Sequence, residues 1–367
     1  MCIRDRGNVD KDTSPLVVGE WDNTQVLPDN SESNIIVSSP PNQYLRWEKT
    51  TNWNGGLDVA VLGNRIAFTA DVYRRVSDDL IGMRSLPGEN GFDYSTMNWA
   101  KLTNRGYELS LSTVNVKTKD FRWVMDFNLA HNKSKINRLN VRDNSYEPSR
   151  EGYSVGAVFS LKTAGLDENG LQMFYNKQGE KVSFNDFFGL EYGYMMGGLI
   201  PFLKSNLSAE EYRNLFTYEG TTEPKFTGGW INRFYYKNFD LTVSASFVLD
   251  QTVQEQPFYN PVQTSPGQNY SRRMSQIWSP DNTSGKYPRI MGTYTEGEEN
   301  WAYQWLGMLD PGNSYRKYDY WFKKMSYMRI NSIRLGYTFP ERLLGHIGFS
   351  SARISFEARN PFVFGSS

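Results

Sequence analysis

The feature that most constrains this chain is an apolar/polar alternation of period two, which recurs in pairs of runs joined by short polar turns. Leu57, Val59 and Val61 alternate with Asp58 and Ala60, and Gly63-Asn64 supplies a turn. The return run sets Ile66, Phe68, Ala70 and Val72 on one parity and Ala67, Thr69 and Asp71 on the other. A period of two places the parities on opposite sides of a β-strand, so each run predicts a strand with one greasy and one wet face. Asn and Gly tolerate the positive φ that tight hairpin turns require.

There are three more such pairs. Tyr107, Leu109 and Leu111 turn through Lys117-Thr118-Lys119-Asp120 to Trp123, Met125, Phe127 and Leu129. A run from Phe226 to Tyr236 turns at Lys237-Asn238 and returns with Phe239, Leu241, Val243, Ala245 and Phe247. The last runs from Tyr327 to Thr338 and returns after Ser351 with Ile354, Phe356 and Ala358. Asp58, Asp71, Glu108, Asp126 and Asp240 all fall on the wet parity of their runs, where a strand acid belongs. The fourth pair breaks the rule, because Arg329 and Asn331 share parity with Ile333 and Leu335. A bulge or a rim position would account for this.

The connections within pairs are short and those between pairs are long, at roughly residues 75–105, 131–225 and 250–326. Long loops at one end and tight turns at the other are the pattern of an outer-membrane β-barrel. Trp53, Tyr73, Tyr107, Trp123, Trp230, Tyr235, Tyr236 and Tyr337 fall near predicted strand ends, where barrels place amphipathic rings at the headgroup layer. The same rings would also serve to cap a soluble core.

Composition removes several other classes. Lys and Arg number 40 against 40 Asp and Glu, a balance that argues against nucleic acid as a partner. One cysteine, Cys2, and two histidines, His131 and His346, leave nothing for a disulfide framework, a Cys/His zinc site or a histidine triad. No run reaches the roughly 20 apolar residues of a membrane helix. At 15% aromatic, the chain is not disordered. The first residues show no signal-peptide pattern and Met1 to Arg6 look unrelated to the rest of the chain, which stops straight after an apolar run at Phe364. Both ends are therefore expected to be cut.

Particular segments resemble a known family. Tyr44-Leu45-Arg46-Trp47-Glu48-Lys49-Thr50-Thr51 leading into Gly56-Leu57-Asp58 is similar to a signature of SusC/RagA-type TonB-dependent outer-membrane transporters. Asn104-Arg105-Gly106-Tyr107-Glu108-Leu109, Pro224-Lys225-Phe226-Thr227-Gly228-Gly229, Tyr327 to Pro340, and Ala358-Arg359-Asn360-Pro361-Phe362 resemble further strands of that family, in the family's order. The resemblance implies an all-β fold, a partial antiparallel transmembrane β-barrel with long extracellular loops. About eight or nine strands are present, of the roughly 22 in such a plugged barrel. It implies residues 1–40 as a truncated start or loop of the barrel, and 41–367 as its C-terminal portion, without plug or final strand.

The implied activity is import of nutrient oligosaccharides or peptides. The implied partners are a SusD-like surface lipoprotein lid, outer-membrane lipid, and the TonB-ExbB-ExbD complex acting through the plug region. No cofactor, metal or catalysis is implied. Where family members carry an Asp-rich stretch, this chain has Asn176-Lys177-Gln178-Gly179-Glu180-Lys181 and Ser208-Ala209-Glu210-Glu211-Tyr212, which lack the regular oxygen ligands of a calcium loop.

Long loops would hold the substrate contacts. The candidates are Trp99, Trp278, Trp301, Tyr303 and Trp305, with Tyr259 and Tyr270 upstream, because aromatic faces stack on sugar rings. The plainer role for the same rings is to pack loops together or meet the lid. The acid pairs Asp78-Asp79, Glu210-Glu211 and Glu298-Glu299 are expected to be solvated rather than glycosidase-like. Thr163-Ala164-Gly165 and Gly197-Gly198 form no phosphate cradle, and His131 reads as a rim residue. The alternative to the barrel is a soluble, secreted all-β module that uses its aromatics to bind carbohydrate or for adhesion, which requires the oily faces to be covered by a second layer.

Overall fold

The computed structural model describes residues 2–6, 18–22, 34–39, 42–86, 89, 91–92, 94–139, 147–195, 200–260, 267–290, 314–344 and 349–366. Its main body is one antiparallel sheet of nine strands. In chain order the strands are β1 (Cys2–Arg6), β2 (Val18–Asp22), β3 (Asn34–Ser39), β4 (Lys49–Val61), β5 (Ile66–Ser85), β6 (Tyr94–Lys117) and β7 (Phe121–Arg138). The long connection holds β8 (Ala157–Leu161), β9 (Thr163–Leu166), β10 (Gln172–Tyr175), β11 (Lys181–Val182), β12 (Leu190–Met195), β13 (Ile200–Ser205) and β14 (Phe216–Thr221). The body resumes with β15 (Phe226–Tyr236), β16 (Phe239–Gln254), β17 (Phe322–Thr338) and β18 (Arg353–Ser366). The sheet runs β1-β4-β5-β6-β7-β15-β16-β17-β18, so chain neighbours pair as a meander interrupted only by the long connections.

Register turns the alternation into rows. Val59, Phe68, Leu111, Phe127, Trp230, Ala245, Ile330 and Phe362 stand opposite one another across eight strands. The neighbouring row on the other face reads Asp58, Thr69, Ser110, Asn128, Gly229, Ser246 and Arg329. Among the described residues no layer covers the apolar rows: Leu57 is 58% exposed, Ile354 63% and Phe356 73%. A water-soluble sandwich would bury such faces against a second sheet about 10 Å away. The uncovered face removes the soluble-module alternative and fits a wall facing acyl chains.

Apolar rows end in rings at both heights. Toward the long connections, Tyr107, His131 and Phe226 stand side by side, with His131 5.2 Å from each neighbouring ring. Toward the short turns, Trp123 stacks on Phe234 at 5.6 Å and Phe239 meets Tyr337 at 4.6 Å. Eight residues separate Trp123 from His131, which at about 3.3 Å per residue and a tilt of about 40° is a band roughly 20 Å tall. His131 thus does lie at the rim. The predicted girdle needs correction at three members: Trp230 lies mid-band, while Tyr73 and Tyr235 share the polar parity.

The parity conflict in the fourth pair is a bulge. Ser244 faces Ser332 but Ala245 faces Ile330, so Asn331 is the extra residue. A further shift follows on β18, where Ile330 faces Phe362 and Ser332 faces Arg359, so Asn360 and Pro361 together lie opposite Asn331. Arg329 is thereby carried to the polar face, and Asn331 accepts from the Ser246 hydroxyl at 3.1 Å.

The long connections are shorter than the alternation suggested. β5 continues to Ser85 and β6 begins at Tyr94, so most of 75–105 is strand, and Trp99 lies in β6 rather than in a loop. Alternation fades there because both faces of a wall that rises beyond the bilayer meet water.

Most of the buried core belongs to the two remaining connections. Leu161, Phe174, Phe184, Phe187, Phe188, Tyr212, Tyr259, Ile277, Tyr287, Tyr315, Tyr318 and Trp321 form one cluster. Phe174 stacks on Phe187 with centroids 4.4 Å apart, and Trp321 on Tyr287 at 5.4 Å. Two short helices feed it: Phe184–Phe187, capped by Ser183, and Ala209–Arg213, capped by Ser208 with a reciprocal Glu211 bond. Each fully buried ring contributes roughly 1.5–3 kcal/mol over leaving it in water. The connections therefore pack together into a cap with its own interior.

Candidate functional site

The polar face of the wall is built from short hydroxyl, amide and acid side chains that alternation alone places there. A groove of about 550 Å³ opens on it, lined by Thr69, Ser110, Ser112, Asp126, Asn128 and Ser246. Its charges are matched across strands. Arg233 on β15 pairs with Asp126 on β7, which also accepts from Ser112 Oγ at 2.6 Å. Asp58 accepts from Thr69 Oγ1 at 2.7 Å, and Ser244 and Ser332 share a bond of 2.9 Å. The face offers many donors and acceptors and little net charge, which suits a neutral, hydroxyl-rich or amide-rich solute.

Above the wall, the cap carries a second cleft of about 590 Å³, lined by Met274, Ile277, Trp278, Pro280, Asn282 and Ile290. Trp278 is half-buried there, and its ring lies against Gly170, whose φ is +77°. A Cβ at Gly170 would overlap the indole, so the backbone itself seats the ring. Among the described candidates, this is the aromatic that lies in a cleft.

The others separate. Trp99 is clamped in β6 between the guanidinium groups of Arg84, at 5.0 Å, and Arg138, at 4.8 Å, and Arg138 also donates to its carbonyl. Tyr259 is buried, and its hydroxyl donates to the Pro288 carbonyl at 3.0 Å, so it packs the cap together. Tyr270 is exposed. Trp301, Tyr303 and Trp305 lie outside the described residues, as do Glu298-Glu299 and Gly197-Gly198. Sequence reading missed Arg273, which lies over Phe258 at 4.5 Å, donates to the Tyr287 hydroxyl at 2.8 Å and pairs with Glu255. Its place could not be read from sequence because its partners come from two distant turns of the cap.

The described acid pairs have structural roles. Asp78 pairs with Lys101 at 2.8 Å, and Asp79 with Arg46 at 2.6 Å and Lys49 at 3.3 Å. The Arg46 hydrogen bond holds the Asp79 carboxyl below the usual range. Glu211 is lowered likewise, by the backbone N–H and hydroxyl of Ser208 that it caps. Asn176 accepts from the N–H groups of Gln178 and Glu180, closing a turn. Among the described residues, no three His, Cys, Asp or Glu side chains gather where they could hold a metal ion.

Comparison with known proteins agrees with this architecture. The family described as TonB dependent receptor-like, beta-barrel, matches residues 18–193. TonB-dependent receptor P3 of Formosa agariphila is 27% identical over 357 residues, covering 92% of this chain and 32% of that protein. TonB-dependent receptor SusC of Bacteroides thetaiotaomicron is 26% identical over 331 residues, covering 88% of this chain and 29% of that protein. The fold matches the RagAB peptide transporter with a TM-score of 0.68 at 19% identity, over 98% of this chain and 36% of that one. The chain thus spans about a third of the length of the curated relatives it matches.

Proposed function

The chain is a length of outer-membrane β-barrel of the SusC/RagA type of TonB-dependent receptor, and from that premise we propose that it forms the outer half-wall and cap of an importer for nutrient oligosaccharides or peptides. What carries the reading is the division of the sheet: apolar rows uncovered on one face, a charge-matched groove of hydroxyls and amides on the other. The polar face serves as a lining along which a hydrated solute exchanges water for weak, replaceable hydrogen bonds. The cap captures the solute. Trp278 offers its ring to sugar or peptide, Trp301, Tyr303 and Trp305 are further candidates for that contact, and Trp99 fixes the top of β6.

The resident partners in this reading are a SusD-like lipoprotein closing over the cap and the TonB-ExbB-ExbD complex, which moves a plug. The chain's own groups bind and guide, with no bond made or broken. The similar proteins differ in what their names say: one solved neighbour is a peptide transporter, while P3 and SusC are named only as receptors.

The test uses the full-length transporter that contains this segment, in its host. Uptake of labelled oligosaccharides and peptides is measured with the gene intact, deleted, or combined with loss of TonB. Uptake of one class that falls at least ten-fold in both mutants is expected. Unchanged uptake of every tested solute after deletion would overturn the importer reading.

A further inference from the structure

Among the described residues, three cations on the apolar side of the wall have no paired acid. Arg74 on β5 stands directly opposite Arg105 on β6, and Arg105 directly opposite Lys133 on β7. They share the parity of Val72, Tyr107 and His131 and lie one two-residue step beyond them, about 6.6 Å further from the band. All three are exposed, and among the described residues none of the three side chains makes an ion pair or hydrogen bond. Like charges directly opposite in a sheet repel. Several other cations of the wall are paired across strands: Arg233 has Asp126, Arg353 has Asp240, and Lys101 has Asp78.

The row opens into a cleft of about 1290 Å³ whose far side carries Tyr153 and Tyr218 from the cap. Two of the acids in that cleft are already engaged. Glu223 accepts from Ser134 and Ser154, and Glu219 takes Lys162 at 2.5 Å and Ser160. Asp250 lines the wall formed by β16.

We propose that Arg74, Arg105 and Lys133 bind the phosphate groups of a lipid headgroup in the outer leaflet. The height is that of headgroups, just outside an aromatic girdle. The direction is outward, away from the solute groove. Two guanidinium forks beside an ammonium suit phosphate, since each fork can engage two oxygens at once. A bound phosphate also removes the repulsion that the bare row carries. The inference rests on the barrel reading, and in particular on the long connections facing outside.

The experiment takes the purified full-length transporter in detergent and measures binding of lipopolysaccharide, its dephosphorylated form, and inorganic phosphate. Wild type should bind the phosphorylated lipid and hold the dephosphorylated form at least ten-fold more weakly, with little affinity for free phosphate. The triple change Arg74→Gln, Arg105→Gln, Lys133→Gln should weaken lipid binding roughly 100-fold, whereas Lys117→Gln with Lys119→Gln, at the opposite end, should not. If the triple variant does not assemble, Arg105→Gln alone should show a loss of about five-fold or more. Equal binding of both lipid forms, or an unchanged Arg105→Gln, overturns the proposal. Free phosphate binding as tightly as the lipid overturns the lipid assignment. Lys119→Cys, labelled in cells by an impermeant maleimide, tests the orientation separately: it should react only after the outer membrane is opened, and labelling of intact cells would sink the barrel's orientation instead.

Discussion

Arg353 donates to both carboxylate oxygens of Asp240, at 2.8 and 2.7 Å, although a whole strand lies between them. The contact is possible because the residue between is Gly336, where a Cβ would stand 2.5 Å from the carboxylate and 2.6 Å from the guanidinium. A charge-assisted contact of this kind, with Nη2 shared between the two oxygens, ties β16 to β18 over β17 near the short turns. Gly336→Ala should therefore cost about 1 kcal/mol of barrel stability in the native background. In an Asp240→Asn background it should be neutral or slightly stabilising, since alanine restricts the unfolded chain. Urea unfolding of the full-length protein in lipid, run as a double-mutant cycle, reads the coupling.

Asn331 is the extra residue of the bulge, so deleting it leaves an unbroken alternation, with Met328, Ile330, Ile333 and Leu335 on the apolar side and Arg329, Ser332 and Arg334 on the polar side. That deletion should assemble. Deleting Asn331 and Ser332 together sets Ile330 beside Ile333, so the wall must either turn Arg329 toward lipid or turn Ile333 and Leu335 inward. An arginine at the middle of the bilayer costs about 2–4 kcal/mol. Outer-membrane assembly of the double deletion should fall sharply, as read by heat-modifiable mobility in membrane fractions.

Neighbouring residues on one strand should respond oppositely to the same substitution. Leu111 lies in the apolar row with Phe68 and Phe127, and Ser110 in the polar row with Thr69 and Asn128. Leu111→Arg should destabilise by about 2–4 kcal/mol, and Ser110→Arg by less than about 1 kcal/mol. Equal effects in folding into liposomes would contradict the assignment of the two faces.

Acid should loosen the segment around Arg46. Its chain is tied to the top of β5 and β6, beyond the band, by Arg46–Asp79 and by a reciprocal pair with Asn98 at 2.8 and 2.7 Å. Because Arg46 lowers the Asp79 pKa, the stabilisation is whole above the unfolded value of about 3.9 and is lost as pH falls through the lower folded value. Hydrogen exchange of the Arg46 amide should be well protected at pH 5–8 and lose protection below about pH 4. Asp79→Asn should show weak protection at every pH.

Gly170→Ala should act like a loss of Trp278 without removing the ring, because the new methyl takes the place of the indole and the positive φ disfavours it. Both Gly170→Ala and Trp278→Ala should reduce uptake several-fold while surface level stays constant. Unchanged uptake in both would remove Trp278 from solute capture.

Much of the wall was legible because a period of two is a physical necessity for a sheet between oil and water. The rows through Phe68, Leu111 and Phe127 follow from it directly. The bulge announced itself as the misplaced parity of Arg329 and Asn331. The upper reaches of β5 and β6 were not legible, since water on both sides erases the contrast that reveals a strand. The cap's interior was less so: Phe174, Tyr212, Tyr287 and Trp321 are far apart in sequence and show no period, and Tyr259, expected to face solute, is buried among them. Trp278 was singled out as an exposed-loop aromatic, but the glycine that seats it was not.

The placement of the dry interior above the wall divides what each part owes to its surroundings. The cap holds its shape by attractions among its own atoms and can be carried from one solvent to another. The wall is laced by its own ladder and ion pairs but buries little of its apolar face; that face is completed by the oil around it, so thinning or stripping that oil should loosen the strands while the cap still stands.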